Sequence, residues 1–182
     1  MIVCCGILQK EIEHLMQGRE EEILYLDAGQ HVDPEALARS VTGALKGING
    51  TNIPLVIGRQ CAPDMEKLAC EFGARVIRAG NCIEMLLGDL LAEYDAEART
   101  FYITGGWLEN WRKIFVDGLK WDEIDARQNF GYYDRILLLD TGLAPIDDEK
   151  ILEFYDYTQV PIEIRPVKLD NFRKLLEEII DG

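Results

Sequence analysis

Ile53-Pro-Leu-Val-Ile-Gly-Arg-Gln-Cys-Ala-Pro-Asp64 is the stretch from which the rest of the chain is read, because it puts a thiol where a buried strand gives way to a helix. Ile53 to Ile57 is a short apolar run of the kind buried on both faces of a parallel sheet. Gly58 ends it, Pro63 suits the first turn of a helix, and Asp64 favours the exposed N–H groups of that turn. Cys61 is therefore expected in the loop just beyond the strand's carboxyl end, the edge at which open α/β sheets bind ligands.

The same alternation runs through the chain. Met1 to Ile7 reads as a strand, and Gln9 to Met16 as a helix stopped by Gly18. Glu22 to Leu26 is a second strand, and Asp33-Pro34 opens a helix to about Gly47, with Asp33 as N-cap. After the strand at Ile53, a helix runs from Met65 to Phe72, a strand from Ala74 to Ile77, and a helix from Cys82 to Tyr94 that Asn81 can cap. Thr100 to Thr104 is a strand leading into Gly105-Gly106-Trp107 and a helix. Arg135 to Leu139 and Ile162 to Val167 are strands, each followed by a helix, from about Asp147 to Tyr157 and from Asp170 to Ile180. Strands alternating with helices imply parallel pairing through right-handed crossovers. The predicted fold class is α/β, a mostly parallel, Rossmann-like sheet of about seven strands with helices on both faces. The chain is expected to form one domain over residues 1–182, and an arrangement as two similar halves stays open. Trp121 to Tyr133 is too long for an ordinary connection and is read as an extra helix or a lid over the ligand edge.

With 19 Lys and Arg against 33 Asp and Glu, the formal charge is -14, which argues against nucleic acid or an anionic membrane as partner. No apolar run approaches the ~20 residues needed to span a bilayer. Met1-Ile-Val-Cys-Cys5 reads as a strand without the basic leader of a signal peptide, so a cytoplasmic protein is expected. Five cysteines in a reducing compartment fit a metal site or reactive thiols better than a disulfide framework.

Cys5, His31, Cys61 and Cys82 follow the first four strands in turn, all at carboxyl ends. Three thiolates and an imidazole form a set that zinc accepts tetrahedrally, and thiolates also hold iron–sulfur clusters. The commoner fate of a single buried cysteine is to be a small core residue, and Cys70, inside a helix, is assigned to the core. Cys4 and Cys5 point to opposite faces, so one of them can join the site. Cys82 lies in the first turn of a helix, where N–H groups stabilise a thiolate; it is the candidate nucleophilic or redox thiol. His14 belongs on a solvated helix face. Gly105 and Gly106 can bring backbone N–H groups close to an anionic cofactor, with Trp107 as a flat wall beside it. Trp107, with Trp121, Phe130, Tyr132 and Tyr133, could line such a pocket or simply fill the core. Asp140-Thr-Gly142 looks like an aspartic protease triplet, but that chemistry needs two aspartates sharing a proton and there is no second copy; the triplet reads as a strand end and a turn.

Cys4-Cys5-Gly6 with Glu11 on the next helix, Gln30-His31-Val-Asp-Pro34, Gly58-Arg-Gln-Cys61, Arg78-Ala-Gly-Asn-Cys82-Ile-Glu-Met-Leu-Leu-Gly88 and Tyr102-Ile-Thr-Gly-Gly-Trp107 together resemble the family called domain of unknown function 1638 (DUF1638), common in methanogenic archaea and other anaerobes. The resemblance covers roughly the first two thirds of the chain. Gln30, Ala62 and Asn81 depart from the family's usual leucine, glycine and aspartate, and the candidate ligands are kept. What the resemblance implies is a setting in anaerobic one-carbon metabolism, with a corrinoid protein or a corrinoid-dependent methyltransferase as partner. It carries no settled activity. A structural or binding metal site and a zinc-thiolate methyltransferase both stay open, as does a thiol-based redox protein.

Overall fold

All four residues of β1 (Ile2–Cys5) are buried. Successive strand side chains point to opposite faces, so this strand needs cover on both sides. The computed structural model, which describes every residue of the chain except the side chain of His31, places β1 between β2 (Ile23–Leu26) and β3 (Ile53–Val56), with β4 (Ala74–Val76) beyond β3. All pair in parallel, with Cys5 beside Leu26, Cys4 beside Val56 and Leu55 beside Val76. A second parallel sheet holds β5 (Thr100–Thr104), β6 (Arg135–Asp140) and β7 (Ile162–Pro166) in that order. The seven parallel strands expected from the sequence are thus divided into sheets of four and three.

Helices α1 (Gln9–Leu15), α2 (Pro34–Lys46) and α3 (Met65–Glu71) connect the first four strands. Asp33 caps α2 by accepting the Ala36 N–H at 2.9 Å, and Leu37, Val41 and Leu45 form the buried stripe that α2 lays against β1 and β2. Asp64 does not work this way: its backbone is left-handed at φ 51°, it makes no capping bond, and α3 begins after it at Met65. Cys70 is exposed and not core, because α3 turns Met65 and Ala69 inward and the next position faces out. The helix expected from Cys82 to Tyr94 is broken at Gly88, φ 52°, into α4 (Cys82–Leu87) and α5 (Leu90–Glu97).

In the second half β5 leads into α6 (Gly105–Trp111), which runs on as a π-helical segment through Gly118, and α7 (Glu123–Phe130); α8 (Asp148–Thr158) joins β6 to β7, and α9 (Asp170–Asp181) follows β7. The aromatic stretch is not a lid. Phe130 packs edge-on against Phe101 with ring centroids 4.9 Å apart, Phe115 stacks on Phe154 at 5.8 Å, and Trp111 meets Tyr157 at 4.9 Å, so these rings form the apolar centre of the second half. Tyr132 stands outside it, exposed beneath the Arg99 guanidinium. Although α9 follows β7, it packs on β3 and α4 of the first sheet. There Arg75 donates to the Ile179 carbonyl at 2.8 Å and Asn171 to the Met85 carbonyl at 2.9 Å. Among the described residues no helix is long and apolar enough to cross a membrane.

Candidate functional site

In the order β2-β1-β3-β4 the chain leaves β1 to one side and returns on the other, which makes the gap beyond β1 and β3 the switch point where doubly wound sheets place ligands. Cys5 closes β1, Cys61 lies in the loop after β3, and Cys82 opens α4 after β4. The two later loops stay paired beyond their strands, with Arg59 N–H donating to the Ala79 carbonyl at 3.0 Å and Gln60 N–H to the Gly80 carbonyl at 2.9 Å. Gly58 permits this: a Cβ there would sit 2.2 Å from the Gly80 oxygen. Asn81 accepts the Ile83 and Glu84 N–H groups at 3.0 Å each, and Glu84 reaches back to the Gly80 N–H at 2.6 Å, so the turn carrying Cys82 is pinned from both ends.

The three sulphurs now have other partners. Cys5 Sγ accepts the Ile7 N–H at 3.3 Å, Cys61 Sγ lies 4.0 Å from the Gly80 oxygen, and the Trp107 indole stands beside Cys82. Burial is the main reason that Cys5 is held well above the ordinary thiol range, and thiolates at Cys82 and Cys61 would raise it further. Burial likewise pushes Cys82 up to about 12, with Cys61 adding to the rise, against the lowering effect of Trp107 and nearby backbone N–H groups. Cys61 is raised by burial too, less the effect of the Gly58 backbone. Desolvation thus opposes the stabilisation that the helix terminus offers a Cys82 thiolate. No disulfide joins any two of the five cysteines. Among the described residues no group of three or more His, Cys, Asp or Glu has the spacing to hold a metal ion, and the side chain of the fourth candidate ligand, His31, lies outside them.

A cleft of about 690 Å³ opens where the carboxyl ends of β1, β5 and β6 meet. Gly105 and Gly106 line it, whereas Trp107 does not; Trp107 is half-buried against Phe101 and Phe115. The close approach that Gly106 allows is taken by protein: a Cβ there would stand 2.0 Å from the Ile7 carbonyl oxygen. The cleft holds two residues that the strand-end reading did not assign to a site. Glu11, in the first turn of α1, is only 4% exposed, and its Oε1 accepts the Thr141 hydroxyl at 2.8 Å. Asp140, beside Thr141, accepts the Gly142 N–H at 2.8 Å where the chain turns at φ 69°. The Asp140-Thr-Gly142 triplet is thus a turn, as read, but its threonine binds a buried carboxylate from the other half.

Two parallel sheets whose strands end together at a cleft, with thiols gathered on the first sheet's carboxyl edge, define an α/β protein whose candidate site lies at that edge. The chain belongs to the family described as Protein of unknown function (DUF1638), which matches residues 25–176. Cys61, Cys82, the Gly105-Gly106 turn and Thr141 fall within the matched stretch, while Cys5 and Glu11 precede it. No curated protein and no solved structure matches the chain.

Proposed function

We propose that the protein binds a thiophilic metal ion, zinc in the first instance, through Cys5, Cys61 and Cys82, with His31 as the fourth ligand. The supporting observation is that two buried thiols and the half-buried Cys61 stand near enough for the thiolate charges at Cys61 and Cys82 to disfavour ionisation of Cys5, and that at Cys61 to disfavour Cys82. A cation removes that penalty, and protons leave as it enters. Three sulphurs and one imidazole suit tetrahedral zinc; an iron–sulfur cluster is the alternative occupant. Binding requires Cys5 and Cys61 to exchange the Ile7 N–H and the Gly80 carbonyl for the ion.

A catalytic role for this site, zinc-thiolate methyl transfer with a corrinoid protein or methyltransferase as partner, is favoured by one observation. The cleft begins at Gly6, the residue after Cys5, so a substrate has room beside the proposed metal. A catalytic zinc keeps a position open, so three protein ligands plus water would mark an enzyme and four a structural or binding site. Anaerobically purified protein should contain about one metal per chain, and Cys61→Ser and Cys82→Ser should each lose most of it. A cobalt-loaded sample should show thiolate-to-metal absorption bands. Protein that takes up neither zinc nor cobalt nor iron under reducing conditions, while remaining folded, would overturn the proposal.

A further inference from the structure

We infer that the cleft between the two sheets is a binding site for a small organic ammonium ion, held by the Glu11 carboxylate together with Asp140. Its volume, about 690 Å³, lies in the range of small-molecule sites. Charge sets the ligand class. Of the charged residues lining it, Lys10 is paired with Glu109, and Lys150 stands 3.8 Å from Asp147. Glu11, Glu13 and Asp140 are left with no ion-pair partner among the described residues. Their only partners are neutral: the Thr141 hydroxyl, the Gln9 amide at 2.7 Å and the Gly142 N–H.

Glu11 is the decisive member. Its side chain is almost wholly withdrawn from water, yet it receives one hydrogen bond, on Oε1, and Oε2 has no donor among the described residues. A carboxylate in that position is poorly compensated, and a cation entering the cleft supplies what is missing. Anionic ligands meet three carboxylates that have no ion-pair partner among the described residues. Leu108, Leu138, Leu143 and Ile146 line the remainder, so an ammonium group on a short aliphatic body fits better than a hydrated inorganic ion. No cysteine lines the cleft, so this site is tested independently of metal content.

The test is calorimetric or NMR titration of the full chain at low ionic strength with n-butylammonium and 1,4-diaminobutane, and with butyrate and magnesium as controls. Saturable binding of the two ammonium probes is expected, weakened about ten-fold or more by Glu11→Gln, as for a lost hydrogen bond to a charged group, with no binding of butyrate. Ala144→Trp, at a half-buried loop residue of the cleft wall, removes space without altering charge and should abolish binding in a protein of unchanged circular dichroism. It decides the matter should Glu11→Gln fail to fold. Absence of saturation by either ammonium probe, unchanged affinity in Glu11→Gln or in Ala144→Trp, or binding of magnesium in preference to butylammonium would each overturn the inference.

Discussion

Gly106 has no space for a methyl group, whereas Gly105 beside it has nothing within 4 Å of its own Cβ position. The pair isolates backbone packing from helix propensity. Gly106→Ala should lower stability by about 1–3 kcal/mol or more, since the Ile7 backbone must move away. Gly105→Ala, at the first position of α6, should be neutral or stabilising by up to about 1 kcal/mol. Urea denaturation of both variants checks this, and equal losses would show that the contact with Ile7 is not tight. At this scale the strand-end cysteines were legible, because an apolar run closed by glycine marks where a strand stops. Glu11 and Thr141 were not: their hydrogen bond joins residues 130 apart, and no local pattern announces such a pairing.

The second sheet is clamped at the amino ends of two strands by one ion pair. Arg99, just before β5, donates its backbone N–H and its Nε to Asp134 Oδ2 at 3.0 Å each, and Asp134 immediately precedes β6. The Arg99 guanidinium holds the Asp134 carboxyl down to about 2. A depressed carboxyl contributes stability that is full above its unfolded value, near 3.9, and is lost as pH falls toward 2. Asp134→Asn should therefore be less stable than the parent by a constant margin from pH 5 to 7, and that margin should shrink between about pH 4 and pH 2. Chemical denaturation at intervals over that window reads it out; a margin independent of pH would show that the pair is not coupled to folding. Most elements were legible because their signals are local: Asp33 before Pro34, Asn81 before Cys82, alternating apolar runs. The break at Gly88 and the burial of the aromatic stretch were not, since both depend on what lies across from the segment. Asn171 of α9 meets α4 near that break, and Phe101 of β5 receives Phe130.

Across the whole molecule, the division into two sheets was the part of the fold that the sequence concealed. A strand's periodicity tells whether it is buried, not which strand lies beside it. The halves are joined by two returns of the chain, α6 onto the turn after β1 and α9 onto β3 and α4. Phe172, which has no exposed surface, anchors the second return together with Leu176 and Ile179. Phe172→Ala should cost about 3–5 kcal/mol and, by loosening α9 from α4, speed the labelling of Cys82 by a thiol reagent. Denaturation and labelling kinetics test the two effects together; a destabilised variant in which Cys82 stays as slow as in the parent would confine the damage to α9 itself.

The position of α9 also bears on how the protein is made. A chain leaving the ribosome from its amino end has synthesised every strand of the first sheet by Val76, but the helix that packs on that sheet emerges only after β7. At elongation rates of about 5–20 residues per second, the nascent first half waits for seconds with an apolar face uncovered and its thiols within reach of oxidants. Native assembly of this half is thus deferred until α9 has been made, after every strand of both sheets.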